Sequence, residues 1–129
     1  MSSAQENKAV SRRVAEEIFN GGNLDLAEEL YAPDYVLHDP SLPEDLHGPE
    51  GLKQYAAMNL GAFPDARVTV EDQIAEGDMV VTHGLIKTSP EDRGTAAADF
   101  FRLEDGKIVE HWDVLQPVPE SAANDHPMF

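Results

Sequence analysis

The segment 99–119 alternates apolar and polar residues and is interrupted once by an Asp-Gly pair, which predicts two antiparallel strands joined by a tight turn. Side chains alternate between the two faces of a strand, so the pattern fixes which residues share a face. Asp99 and Phe101 share a face of the first strand, and His111 and Asp113 share a face of the second. The hairpin limits the chain to folds with an antiparallel sheet and places ionisable groups among apolar ones.

Charge complementarity selects one register for this hairpin. Pairing Arg102 with Glu110 gives a favourable cross-strand ion pair, and the same register places Asp99 opposite Asp113, beside His111. Two close carboxylates in an apolar setting cannot both ionise cheaply, so one of them is expected to have a raised pKa. A raised carboxylate pKa suits proton transfer near neutral pH. The alternative interpretation is that this is the solvent face of the sheet.

The rest of the pattern predicts an α+β fold. Apolar periodicity predicts three N-terminal helices: 5–20, 25–31 and 49–61. Alternation predicts one short strand and then a four-stranded antiparallel meander: 35–39, 67–75, 79–88, 96–103 and 107–115. A curved antiparallel sheet with the three helices packed on its concave face leaves a cone-shaped cavity, which is the default ligand site.

The length of the chain bounds its organisation. Residues 1–129 are expected to form a single domain, because the length allows one real core and is too short for two. The tail 116–129 carries three prolines and is predicted to wrap the surface or a partner subunit.

The charge and composition exclude several classes of function. The chain has 25 acidic residues against nine Lys and Arg, a net charge of -16, which argues against nucleic acid and anionic membrane partners. With no cysteine, disulfides, thiol nucleophiles and thiolate metal sites are excluded. The polar start has no apolar signal core, and no apolar run is long enough to span a membrane, so a cytoplasmic protein is expected.

Further pocket candidates come from their positions in the predicted strands and helices. These are His83, His38, Tyr35, Tyr55, Met58, Phe63 and Phe101. The alternative interpretation, a place in the ordinary core, is the more common one for such tyrosine, methionine and phenylalanine residues. A lone histidine on an apolar strand face is likewise more often a hydrogen-bonded core residue than a ligand. Three other apolar residues are expected on the opposite face of the sheet, for core or dimer contact: Phe100, Ile108 and Trp112.

A divalent metal is an alternative use of these polar groups. Divalent metal ions are commonly bound by imidazole and carboxylate groups. The chain offers such groups at His38, His83 and His111 and at the two aspartates of the hairpin. Their spacing has no metal-motif regularity. No metal is therefore expected.

Several short motifs carry a resemblance to a known family. Phe63-Pro64-Asp65, the Glu-Gly-Asp turn before the strand 79–88, and the segment 105–113 occur in the order found in SnoaL-like polyketide cyclases, within the nuclear transport factor two-like superfamily. The tail resembles the SnoaL-like aldol-condensation branch. The Gly-Lys-Ile-Val-Glu-His-Trp-Asp segment is fairly specific to the family, and the other two motifs are widespread in the superfamily.

The resemblance implies a cone-shaped, cystatin-like α+β barrel without a cofactor, commonly dimeric through its sheet. It implies that Asp113, the Asp of the His-Trp-Asp segment, is the general acid/base of an aldol condensation. In several members a histidine on the preceding strand helps to hold the enolate oxygen, and the matching position here is Asp99. An aspartate can donate a hydrogen bond there only when it is protonated.

The resulting hypothesis is cofactor-independent acid/base chemistry at a carbonyl of a small apolar or semi-polar substrate. Asp113 removes a proton next to the carbonyl, and His111 and His83 orient it or donate to the developing oxyanion. Asp99 donates a hydrogen bond if it is protonated. The alternatives are a non-catalytic small-ligand-binding protein and a dimer scaffold of the same fold.

Overall fold

A computed structural model describes residues 3–42 and 46–129, and its α+β architecture confirms the predicted fold class. The described α-helices are α1 (Ala4–Arg13), α2 (Ala27–Leu30) and α3 (Gly48–Ala62). The described strands are β1 (Tyr31–His38), β2 (Arg67–Glu76), β3 (Met79–Lys87), β4 (Thr95–Glu104) and β5 (Lys107–Pro117). Among these residues, no helix combines the length and apolar character needed to cross a membrane.

The first helix has a defined start and an irregular end. It begins where the Ser3 hydroxyl accepts a hydrogen bond from the backbone N–H of Glu6 at 3.1 Å, a standard N-terminal cap. After α1 the chain continues as a π-helix over Val14–Phe19, and the N–H of Asn20 donates to the carbonyl of Ala15, five residues back, at 2.9 Å. Such wide turns are rare and often occur at functional sites.

The sheet has the order β1-β5-β4-β3-β2, and β2 to β5 form the predicted antiparallel meander. One expectation was wrong: β1 runs parallel to β5, so the sheet is mixed. The strand also begins at Tyr31, which the helical periodicity had assigned to the second helix. Pro33 lies within β1, where a residue that cannot donate to a ladder is tolerated because the strand is at the sheet edge.

The predicted β4–β5 register is confirmed around the polar residues. Asp99 lies opposite Asp113, and Arg102 lies opposite Glu110, with the Arg102 Nε donating to the Glu110 Oε1 at 2.7 Å. The register shifts after Arg102, so that Ile108 is fully buried in the main core. Ile108 is therefore not on the outer face, as strict alternation had predicted, because a bulge turns it inward.

The helices cover the concave face of the sheet. The first helix packs on β2 and β3, and α3 packs on β1. The core between them is continuous and apolar, and includes Ile18, Leu52 and Val80.

The residues after β5 turn back along the sheet. The backbone N–H of Val118 donates to the carbonyl of Gly94 at 3.0 Å. Phe129 lies with its ring 4.7 Å from the ring of His83 on β3. The tail thus contacts the face of the sheet that the helices leave open.

Asn20 fastens the end of the first helical segment to the sheet. Its amide accepts a hydrogen bond from the N–H of Val68 at 2.8 Å and donates to the carbonyl of Val68 at 2.7 Å. The side chain thereby replaces a neighbouring strand at the edge of β2, which matters because unpaired, partly buried backbone groups are costly.

Replacing Asn20 with Ala is expected to lower the free energy of unfolding by about 1–3 kcal/mol, because both backbone groups of Val68 lose their partners. Urea denaturation measures this change. The matched control is Asn23→Ala, an exposed asparagine in the same loop whose side chain makes no capping bond; it should stay within about 0.5 kcal/mol of the wild type. Equal losses in the two variants would contradict the assigned role of Asn20.

Candidate active site

A cavity of about 210 Å³ lies between the concave face of the sheet and the helices. Its walls are mainly apolar and come from the first helical segment, from α3 and from all five strands. They include Val14, Phe19, Leu52, Val68, Ile86 and Leu115. This is the cavity that the curved-sheet prediction required. Its polar end is built by β4 and β5.

Three ionisable side chains meet at that end of the cavity. Asp99 on β4 and His111 and Asp113 on β5 all line it, as the confirmed register requires. One donor atom from each residue can be chosen so that all three lie within 4.8 Å of one another. The sheet therefore concentrates two carboxylates and an imidazole in one small volume.

The imidazole is held on two sides. The Nε2 of His111 is 2.8 Å from Oδ1 of Asp99, and the His111 ring stacks on Phe101 with a centroid separation of 4.4 Å and an interplanar angle of 21°. The side chains of His111 and Asp99 are 12% and 23% exposed, so the contact is shielded from solvent. A carboxylate in this position orients the ring.

Asp113 has a different environment. Burial raises the pKa of its carboxyl above the usual 3.8, the nearby His111 opposes this rise, and the charges of Asp99 and Asp39 add to it. Within the described residues, only its own backbone N–H donates to this carboxylate. The group is thus available to accept a proton, and its raised pKa brings it closer to the working range of a general base.

Tyrosine hydroxyls surround the same end of the cavity. Burial raises the pKa of Tyr55 to about 12, with contributions from Asp113, Asp39 and Asp99. Burial also raises the pKa of Tyr31 well above its ordinary range. These phenols are therefore neutral at physiological pH and can donate hydrogen bonds.

The donor types of the three ionisable groups would also suit a divalent ion. His111 Nε2 and Asp99 Oδ1 are already bonded to each other at 2.8 Å, however, so an ion between them would have to break that contact. The contact that the structure shows between His111 and Asp99 is a hydrogen bond.

Several sequence-predicted residues lie at the cavity. Tyr55, Phe63 and Phe101 line it together with the three ionisable groups. Tyr35 does not line it: its side chain is fully buried behind the wall, with its ring edge-on to Tyr31. Its predicted direct contact with a ligand is therefore not supported.

Three other predicted residues lie away from the cavity. His83 is on the outer face of β3, because its neighbours Thr82 and Gly84 face inward. His38 stacks on Trp112 at 4.9 Å and its Nε2 lies 2.9 Å from Glu110. His38 is therefore outside the site.

Met58 also lies outside the site. It is on α3 but is 58% exposed and does not line the cavity. The helical period directs its side chain away from the sheet.

Sequence reasoning missed several polar residues of the lining, among them Ser11, Asn20, Asn59, Thr82 and Thr88. Ser11 and Thr82 hydrogen-bond each other across the helix–sheet boundary at 2.7 Å. The signal was present for Ser11, which falls one turn before Val14 on the buried stripe of the first helix. Alternation along β3 likewise offered Thr82 as the inward residue.

Comparison with known proteins gave one family and many structural neighbours. A family model described as a SnoaL-like domain matches residues 11–111. The crystal structure of wild-type IdmH, a candidate polyketide cyclase from Streptomyces antibioticus, is 28% identical with a TM-score of 0.70, over 84% of this chain and 91% of that one. No match was found among curated protein sequences.

Two further crystal structures have a similar fold. A candidate polyketide cyclase from Acidithiobacillus ferrooxidans is 25% identical with a TM-score of 0.75, over 89% of this chain and 91% of that one. A candidate SnoaL-like polyketide cyclase from Jannaschia sp. CCS1 is 22% identical with a TM-score of 0.76, over 89% of each chain.

Replacing Asp113 with Asn is expected to raise the free energy of unfolding at neutral pH, because the folded state holds this charge in a poorly solvated place. Below the ordinary pKa of 3.8 the carboxyl is neutral in both folded and unfolded states, so variant and wild type should differ little. As the pH rises through the raised pKa of the folded state, the wild type should lose stability relative to the variant. Urea denaturation across this pH range measures the difference.

The control for this experiment is Asp125→Asn, which removes an exposed carboxylate from the tail. It should show no pH-dependent gain. A gain at neutral pH in both variants, or in neither, would contradict a raised pKa for Asp113.

Proposed function

Because the chain belongs to the SnoaL-like domain family, and because its cavity ends in a partly buried carboxylate beside an oriented imidazole, we propose that it catalyses cofactor-independent acid/base chemistry at a carbonyl. The reaction is an aldol condensation or cyclisation, or an isomerisation. The observation that carries the proposal is Asp113, whose pKa is raised mainly by burial and which receives no side-chain hydrogen bond from the described residues.

In the proposed mechanism Asp113 removes a proton from the carbon next to the substrate carbonyl, and the electron pair of the C–H bond forms an enolate. His111, held by Asp99, donates a hydrogen bond to the enolate oxygen from the ring nitrogen that Asp99 does not engage, a step that uses the imidazolium form with a proton on each nitrogen. In an aldol reaction the enolate carbon attacks a second carbonyl, and the new alkoxide takes a proton back from Asp113. In an isomerisation, Asp113 returns the proton to another carbon.

Asp99 acts in this scheme as an orienting acceptor. The 2.8 Å distance between its Oδ1 and His111 Nε2 supports this orienting role, which we propose in place of the protonated donor expected from the sequence. This arrangement resembles the way a carboxylate orients a catalytic imidazole elsewhere.

The cavity supports a small, uncharged substrate. Its described lining contains no Lys or Arg and includes Asp99 and Asp113, so a carboxylate or phosphate on the substrate would be repelled. Its volume of about 210 Å³ is below the roughly 300–1,000 Å³ of typical ligand pockets. A mainly apolar carbonyl compound of modest size fits both constraints.

A non-catalytic ligand-binding protein is the second candidate. The observation in its favour is that most of the cavity wall is apolar, which would hold an apolar ligand without any chemistry.

We also propose that the protein is a homodimer through the outer face of its sheet. Ile74 and Val114 lie on that face and are 70% and 63% exposed, with Phe100 and Trp112 beside them. Contiguous exposed apolar surface of this kind marks interaction sites, and a second copy of the same face would bury it symmetrically.

Replacing Asp113 with Asn is expected to lower turnover at least about 100-fold while leaving ligand binding intact, because the amide cannot accept the substrate proton. Turnover can be followed without knowing the natural substrate, as deuterium incorporation next to the carbonyl of small cyclic diketones in D₂O by NMR. Calorimetry measures binding of the same compounds.

The matched control is Asp72→Asn, which removes an exposed carboxylate from β2. It should keep the wild-type exchange rate. Unchanged exchange in Asp113→Asn would overturn the assignment of the base. Saturable binding with no exchange by the wild type would favour the ligand-binding protein.

Replacing Val114 with Arg is expected to convert the proposed dimer into a monomer, because a charge would be buried without a partner. Sedimentation or light scattering at a fixed protein concentration measures the mass. The control is Met58→Arg, which charges an equally exposed apolar residue on α3. A wild-type monomer at micromolar concentration would contradict the proposed interface.

A further inference from the structure

A pair of buried hydroxyl groups lies in the wall of the cavity. Ser11 on α1 and Thr82 on β3 both line the cavity, and they are only 2% and 5% exposed. Their side-chain oxygens are 2.7 Å apart, so one hydroxyl donates a hydrogen bond to the other. The mechanism proposed above uses neither group.

The amide of Gln73 determines how the Thr82 oxygen is used. Its Nε2 donates to the backbone carbonyl of Lys8 at 2.9 Å, and because a carbonyl can only accept, the amide nitrogen must lie on this side. The same Nε2 is 3.2 Å from Thr82 Oγ1 and donates its second hydrogen to it. Thr82 Oγ1 is therefore an acceptor toward Gln73, whichever direction its bond with Ser11 takes.

One donor hydrogen of the hydroxyl pair is left over. Two hydroxyl groups carry two hydrogens, and the bond between Ser11 and Thr82 uses one of them. Within the described part of the chain, the only other hydrogen bond of the pair is the one received from Gln73. The second hydrogen has no acceptor there, although buried donors normally have one. The space open to it is the cavity that both residues line.

The register of the sheet places this donor relative to Asp113. Thr82 lies opposite Asp99, and Asp99 lies opposite Asp113, so the three residues form one row across β3, β4 and β5. Adjacent strands are about 4.8 Å apart, so the row spans roughly 10 Å. Contacts of about 2.8 Å at its two ends leave about 4 Å for a ligand. That length matches the distance from a ring carbon to an oxygen on the far side of a six-membered ring.

We propose that the Ser11–Thr82 pair is a second substrate subsite, which donates one hydrogen bond to an acceptor oxygen remote from the reacting carbon. The ligand class is a neutral carbonyl compound with a second oxygen, as a ketone or an ether, about 4 Å from the carbon that faces Asp113. Asp99 lies between the two ends, but its carboxylate is an acceptor and cannot take this role. The inference rests on the proposed function for the reacting end and adds the opposite end.

The same pair ties α1 to the sheet, and a purely structural role makes a different prediction. A tether is indifferent to the groups that a ligand carries, whereas a subsite makes affinity depend on an acceptor oxygen. The test compares two ligands of nearly the same shape, cyclohexane-1,4-dione and 4-methylenecyclohexanone. In the second compound a CH₂ group replaces one carbonyl oxygen.

Replacing both residues, as Ser11→Ala together with Thr82→Val, is expected to lower the preference for the dione about 3- to 10-fold, because the spare donor is lost. The preference is the ratio of the two dissociation constants, each measured by NMR titration of the full chain. Both hydroxyls are removed because either one alone would keep a free hydrogen. Since no hydroxyl is left unpaired, the melting temperature should stay close to that of the wild type. An unchanged preference, or no saturable binding of the dione by the wild type, would overturn the proposal.

The matched control is Thr88→Val, the same substitution just beyond the end of β3. Thr88 also lines the cavity, but its hydroxyl already donates to Asp92 Oδ2 at 3.0 Å and has no spare hydrogen. The preference for the dione should stay within about twofold of the wild type. An equal fall in the control would show a general effect of wall polarity and would count against the subsite.

The unaltered protein provides a second measurement that does not depend on how a variant folds. In a crystal structure of the wild type with the dione, one ligand oxygen should lie within about 3.2 Å of Ser11 Oγ or Thr82 Oγ1. A bound dione with both oxygens elsewhere, or with a water in that place, would contradict the assignment.

Neither measurement requires turnover. Failure of the deuterium-exchange test would therefore leave the subsite standing, and failure of the subsite would leave the role of Asp113 to be judged by exchange alone.

Discussion

The pairing of β4 with β5 is the constraint on which the site depends. Because side chains alternate with a period of two, slipping this pairing by one residue would move one strand's polar groups to the outer face. The Arg102–Glu110 contact is partly exposed and contributes at most about 1 kcal/mol by itself. Its value is in specificity: it matches only one register, and that register brings Asp99 opposite Asp113.

The same reasoning explains what the sequence could predict. Alternation and turn residues identify the meander, and one pair of opposite charges selects the register of the hairpin. These signals can be used because they lie within one strand or between two strands that follow each other in the sequence. The prediction fails at Ile108, where a bulge shifts the pairing and sends the side chain into the core. A bulge depends on how the strand must bend over the helices, which no local pattern records.

The choice of the inner face was harder to predict, because both faces of this sheet carry apolar residues. The face of β3 that carries His83 is apolar and looks like a core face. The helices nevertheless cover the opposite face of this strand, which carries Thr82. The helix–sheet contacts that distinguish the two faces join distant residues, such as the 2.7 Å hydrogen bond of Ser11 with Thr82. Met58 was misplaced for a similar reason, since α3 has apolar residues on more than one side.

The resemblance to cyclases raised a difficulty that the three-dimensional arrangement addresses. It implied an enolate-binding histidine on the strand before the acid/base, and this chain has Asp99 there. In this chain the imidazole near the acid/base comes from the neighbouring strand, β5. His111 lies diagonally across the β4–β5 pair from Asp99 and is close enough to form a hydrogen bond with it. In the proposed mechanism, this change of strand keeps an imidazole near Asp113 and adds a carboxylate that orients it. Family membership gives the fold, whereas the chemistry depends on such local exchanges, which must be worked out residue by residue.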